Sequence, residues 1–171
     1  ELIAELKTLP DKIAKIIEDD KERIQWFAAK QANARDAFFI GRGIDYAISM
    51  EGSLKMKEVS YVHTEAYAAG ELKHGTISLI EDGTLVIGIL TQNHLYEKTV
   101  SNIREVVARG ASVVLVTTDD FTGDESVCQH IVRLPKCLYE FSASLSIIPM
   151  QLLAYYIAVE RNCDVDKPRN L

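Results

Sequence analysis

Ala37-Phe38-Phe39-Ile40-Gly41-Arg42-Gly43 is a run of four consecutive apolar residues closed by an arginine between two glycines. A strand solvated on one face alternates apolar with polar residues, so an unbroken apolar run this short fits a strand buried on both faces that stops in a tight loop. Leu85-Val86-Ile87-Gly88-Ile89-Leu90 and Val113-Val114-Leu115-Val116 have the same character, and Glu65 to Ala69 and His130-Ile131-Val132 supply two further short candidates. The intervening segments carry helical spacing. Leu2, Ile3, Leu6 and Leu9 share a stripe, Pro10 can open a first turn, and Ile13, Ile16, Ile17, Ile24 and Phe27 extend helix through the first 34 residues. Asp45 is expected to cap a helix from Tyr46 to Tyr61, and a short helix is expected from Leu72 to Ile80. Helix resumes after Asn93 until near Gly110, and a last helix runs from about Leu138 to Arg161, where Pro149 should kink it.

Strands that alternate with helices predict an α/β protein, a three-layer α/β/α sandwich around a parallel five-stranded sheet. The 171 residues, 47% hydrophobic, suffice for one full core and fall near the usual size of one domain. The expected organisation is a single domain over 1–171, with a helical lead at 1–34, an α/β core at 35–162 and an irregular charged tail at 163–171. A formal net charge of -6 argues against a nucleic-acid partner, which requires a basic face. Cys128, Cys137 and Cys163 are odd in number and lack the paired spacing of a zinc site, so they read as reduced thiols in a cytoplasmic setting. The apolar stretches are read as too short for a bilayer span, and Glu1 opens an amphipathic segment without the blocks of a signal peptide.

In parallel sheets of this kind ligands collect beyond the carboxyl ends of the strands, near a switch in strand order, and the Ile40 to Gly43 loop is expected there. Gly41-Arg42-Gly43 resembles half of a dinucleotide fingerprint. The third glycine and the acidic residue are missing, so the loop reads as a strand-to-helix turn in which Arg42 is available to an anion.

The densest concentration of reactive groups is Glu51-Gly52-Ser53-Leu54-Lys55-Met56-Lys57-Glu58 followed by Ala66-Tyr67-Ala68-Ala69-Gly70-Glu71-Leu72-Lys73-His74-Gly75. Glu51, Lys55 and Glu58 fall four and three apart and share one helix face. Alone, such a ladder is a solvated set of ion pairs worth a few tenths of a kcal/mol per pair. With His74 sixteen residues after Glu58, and a Gly- and Ala-rich segment between that can fold back over the same face, it becomes a candidate for proton transfer. His63 reads as a cation at the end of the acidic helix, His94 as a surface residue, and His130 as a packed or edge residue without chemical neighbours.

These residues carry a resemblance. The Glu51 to Glu58 run, Glu65 to Gly75 with its Glu-Leu-Lys-His-Gly core, and the tail Asp164-Val165-Asp166-Lys167-Pro168-Arg169-Asn170-Leu171 resemble the isomerase half of the glucosamine-6-phosphate synthases (glutamine:fructose-6-phosphate amidotransferases, isomerizing). The match runs from about Phe38 to Leu171 and resembles the second of that family's two sugar isomerase (SIS) domains, of flavodoxin-like fold. It implies synthesis of glucosamine 6-phosphate from fructose 6-phosphate and the amide nitrogen of glutamine, without metal or organic cofactor. By resemblance, Glu58 matches the acid and base that moves a proton between C1 and C2. His74 matches a histidine that assists ring opening from the neighbouring subunit, which implies a homodimer, and Lys55 matches a lysine supporting the carboxylate.

The chain also departs from the family pattern. The family's tail continues past Asn-Leu with a lysine that forms an imine with the ketose, whereas Leu171 ends this chain; the phosphate-gripping Ser/Thr loop of the first SIS domain and the glutaminase domain do not occur. The sequence therefore reads as a fragment, expected to fold but neither to hydrolyse glutamine nor to turn over fructose 6-phosphate alone. Two alternatives share the fold: a SIS-type sugar-phosphate binding or regulatory module, which has no chemical need of Glu58 and His74, and a deglycase of sugar-phosphate amine adducts.

Overall fold

The computed structural model describes residues 1–169. Its centre is a parallel five-stranded sheet, β1 (Asp36–Gly41), β2 (His63–Ala68), β3 (Leu85–Leu90), β4 (Ser112–Thr118) and β5 (His130–Leu134), in the order β2-β1-β3-β4-β5. Chain progression reverses between β1 and β3, which makes the loops following them the topological switch point.

The apolar run at Ala37 to Ile40 lies in the middle of this sheet, and each of its side chains is almost fully buried. Alternation sends Ala37 and Phe39 into one core and Phe38 and Ile40 into the other. Leu85, Ile87 and Ile89 side with Phe39, and Val86 and Leu90 with Phe38. Burying either phenylalanine contributes about 1.5–3 kcal/mol, which leaves no solvent-facing register for β1.

Helices α2 (Leu9–Gln31), α3 (Ile44–Ser60) and α5 (Ser142–Glu160) cover the first face, and α4 (Tyr96–Val107) covers the second. A short α1 (Leu2–Leu6) precedes them. Residues 1–34, read from sequence as a lead ahead of the core, contribute to that core: Ile16, Ile24, Phe27 and Ala28 of α2 are buried and α2 packs along α5. The α5 helix continues through Pro149.

Several expected elements are corrected. Asp45 does not cap α3; the cap position belongs to Gly43, at φ 58 and ψ -126, a backbone conformation that suits glycine. Asp45 lies in the first turn, buried, where its carboxylate accepts from the Thr91 amide at 3.0 Å and the Thr91 hydroxyl at 2.5 Å. It thereby ties α3 to the loop after β3. Strand β2 begins two residues before the expected Glu65. The helix expected from Leu72 to Ile80 is two 3₁₀ turns, Leu72–His74 and Thr76–Leu79, separated by Gly75 at φ 143. The expectation that no apolar stretch reaches bilayer length also fails. Tyr139–Glu160 is long and apolar enough by length and composition, with mean hydropathy 1.5, yet here it is a core helix packed on α2 and α3.

Candidate functional site

Helix α3 runs back from the carboxyl end of β1 to the amino end of β2, so its last turns lie at the lower end of the sheet. There Lys55 Nζ donates to Glu58 Oε2 at 2.7 Å and lies 3.5 Å from Glu51 Oε1. The three residues share one face, as their spacing predicts. Glu58 keeps 39% and Lys55 30% of side-chain exposure, so the pair is reachable without being dispersed in solvent. The hydrogen bond to Glu58, reinforced by Glu51, raises the Lys55 pKa above the ordinary lysine value, which keeps the ammonium charged through neutral pH.

Lys55 lines a cleft of about 340 Å³ between α3 and α5 together with Val59, Gln151, Tyr155 and Asp166. Sequence reasoning missed the last three. Gln151 and Tyr155 stand four apart on α5 and share a face, a signal that was available; Asp166 comes from the tail, and only the folded chain brings it there. The tail is held by Tyr61, just past the end of α3, whose hydroxyl accepts from the Arg169 amide at 2.9 Å while its ring lies 4.2 Å from the Arg169 guanidinium carbon. Arg169 thus packs on Tyr61, which follows Glu58 by three residues; Asn170 and Leu171, part of the motif quoted above, lie outside the described residues.

His74 is elsewhere. Strand β2 is extended from His63 to Ala68, and His74, exposed, ends the 3₁₀ turn beyond its carboxyl end. The Gly- and Ala-rich segment therefore does not fold back over the Glu58 face: an extended strand carries His74 to the opposite end of the sheet. Within one chain Glu58 and Lys55 are together and His74 is apart from both.

Of the other histidines, His94 is exposed at a helix start as expected, whereas His63 and His130 differ. His63 opens β2 rather than ending α3, and its Nδ1 lies 2.8 Å from Asp36 Oδ1. His94 borders a separate cleft of about 340 Å³ at the carboxyl ends of β3 and β4, with Asp120 and Lys136. His130 has a chemical neighbour after all: its Nε2, buried without a hydrogen bond among the described residues, is 3.9 Å from Asp20 Oδ1. Burial holds the His130 pKa below the usual histidine value, and burial together with Asp19 pushes Asp20 up to about 6. The three cysteines are free; burial raises the Cys128 thiol to about 11, far from a reactive thiolate.

A carboxylate oriented by an ammonium group beside a cleft can accept and return a proton at a carbon next to a carbonyl or imine. Comparison with known proteins narrows the range. The SIS domain family matches residues 31–161. The chain is 55% identical over 171 residues to the glutamine–fructose-6-phosphate aminotransferase (isomerizing) of Caldanaerobacter subterraneus subsp. tengcongensis, covering 100% of this chain and 28% of that protein. Curated relatives are thus matched over about 28% of their length. Among solved structures, the C-terminal domain of glucosamine-fructose-6-phosphate aminotransferase from Francisella tularensis superposes with a TM-score of 0.87 at 32% identity, over 96% of this chain and 46% of that one. Glucosamine-6-phosphate deaminase from Thermotoga maritima superposes with a TM-score of 0.66 at 26% identity, over 91% and 46%.

Proposed function

We propose that this chain, which belongs to the SIS domain family, serves in the isomerase half of a glucosamine-6-phosphate synthase, in the conversion of fructose 6-phosphate and glutamine-derived ammonia to glucosamine 6-phosphate. The observation that carries the reading is Glu58, oriented at 2.7 Å by Lys55 beside the α3–α5 cleft. In this reading the Glu58 carboxylate takes the proton from C1 of the sugar imine and returns it at C2, so that ketose becomes aldose. Lys55 holds the carboxylate in place. His74 acts on the ring oxygen of the sugar bound by the neighbouring copy, in a cytoplasmic homodimer. Glutamine hydrolysis and the grip on the sugar phosphate are assigned to other domains of the whole protein. The 55% identity to a protein named for this activity supports the assignment.

Replacement of Glu58 by Gln in the whole protein tests it. Glucosamine 6-phosphate formation should fall to background while fructose 6-phosphate still binds. Turnover unchanged by the substitution would favour the alternative in which this domain only binds sugar phosphate and conversion takes place elsewhere in the whole protein. Likeness to the Thermotoga maritima deaminase supports a second reading, in which the same site works toward ammonia release; net ammonia release from glucosamine 6-phosphate without glutamine would favour it.

A further inference from the structure

Arg42 follows the last residue of β1 and reaches across the top of the sheet. Its carbonyl accepts from Gln92 Nε2 at 2.6 Å, and its Nη2 donates to Asn102 Oδ1 on α4 at 2.8 Å. Asn102 is buried, so this end of the side chain is fixed. On the other side the guanidinium lies against the backbone of Gly70: a Cβ built there would stand 2.8 Å from Nη2 and 3.4 Å from Cζ. Arg42 Nε is buried and has no hydrogen-bond partner among the described residues. A guanidinium does not give up its charge, so holding it there with a donor unpaired opposes folding, and the placement calls for a reason beyond stability.

Gly70 begins the turn that ends in His74. Ala69 N donates to Gly41 O at 2.8 Å, Glu71 N to Ala68 O at 2.7 Å and His74 N to Glu71 O at 3.0 Å, while Leu72 is buried in the α4 core. Past His74, a Cβ at Gly75 would meet nothing within 4 Å, so the turn is braced from beneath and open beyond its tip. We infer that Arg42 is a positioning residue: wedged between Gly70 and Asn102, its guanidinium sets the height of the Gly70–His74 turn and thereby the reach of His74 toward the neighbouring copy's site. The inference rests on the function proposed above, because it acts through His74.

The test is a double-mutant cycle in the whole protein. Arg42→Lys keeps the charge but loses the planar fork. Gly70→Ala keeps the arginine but sets a Cβ 2.8 Å from Nη2, so the guanidinium must shift against its Asn102 anchor, while the backbone at 70, without positive φ, accepts alanine and the fold is kept. Each substitution should lower kcat by roughly tenfold to a hundredfold, the scale of an ångström-level misplacement, with KM for fructose 6-phosphate and Tm unchanged. In a His74→Ala background neither should have any further effect. Losses that multiply in that background, a rise in KM with kcat unchanged, as for an anion-binding arginine, or failure of both variants to fold would overturn the inference. Full turnover in His74→Ala alone would instead overturn the functional reading beneath it.

Discussion

Glu58 and His74 of one chain stand at opposite ends of strand β2. Helix α3 ends at Ser60 beside the amino end of β2, and the turn carrying His74 follows its carboxyl end. The six-residue strand between them spans roughly 20 Å, well beyond hydrogen-bond reach. If the two residues serve one sugar, they serve it from different copies. Twofold symmetry supplies such an arrangement twice in each dimer.

Lys55→Met removes the ammonium while keeping most of the aliphatic stem. Because the pair is partly exposed, the cost in stability is less than about 1 kcal/mol, so Tm should hardly move. Turnover at neutral pH should fall by about tenfold or more, since Glu58 loses the donor that orients it. The raised Lys55 pKa fixes the sign of the pH dependence: the small stability contributed by the pair is complete below the ordinary lysine value of 10.5 and is lost as pH rises through the higher folded value. Thermal melts and steady-state rates of the two proteins side by side check both statements.

Asp20 is a buried carboxylate whose folded pKa is raised from 3.8 to about 6. The folded state holds this proton more tightly than the unfolded chain, so stability falls as pH rises from 3.8 through about 6, by up to roughly 3 kcal/mol. His130, lowered by burial, acts in the opposite sense and costs stability as pH falls below 6.5; Arg23 opposes the rise at Asp20. Asp20→Asn should therefore raise Tm at pH 8 and change it little at pH 4.5. Equal effects at the two values would contradict the assignment.

Gly52 lets α3 approach α5 and β1 closely: a Cβ there would sit 2.4 Å from Met150 Sδ and 3.0 Å from the Phe39 ring. Gly52→Ala gains about 1 kcal/mol of helix propensity and loses roughly 1–3 kcal/mol to overpacking. A net loss of up to about 2 kcal/mol is expected, read as a lower denaturant midpoint with unchanged m-value.

The buried strands were legible because residues such as Phe38 and Phe39 leave no polar position to face water, and Leu85 to Leu90 repeats the pattern. Asp45 misled because the residue type that caps a helix is also one that ties two loops, and only the fold places Thr91 opposite it. The turn at Leu72 to Leu79 read as helix because apolar spacing persists across Gly75, whose backbone breaks it. Local spacing also gave the Lys55–Glu58 pair. The separation of Glu58 from His74 depends on β2 being extended, and the Tyr61–Arg169 contact joins residues 108 apart in sequence, which no local pattern encodes.

The most direct test of a site shared between copies is co-expression of two strongly impaired forms of the whole protein, Glu58→Gln and His74→Ala, the second retaining only slow residual turnover. Random pairing makes half the dimers mixed, each with one intact site and one doubly substituted, so activity should return to about a quarter of the unsubstituted level. Mixed dimers, isolated by two different tags, that remain as impaired as either parent would contradict the account.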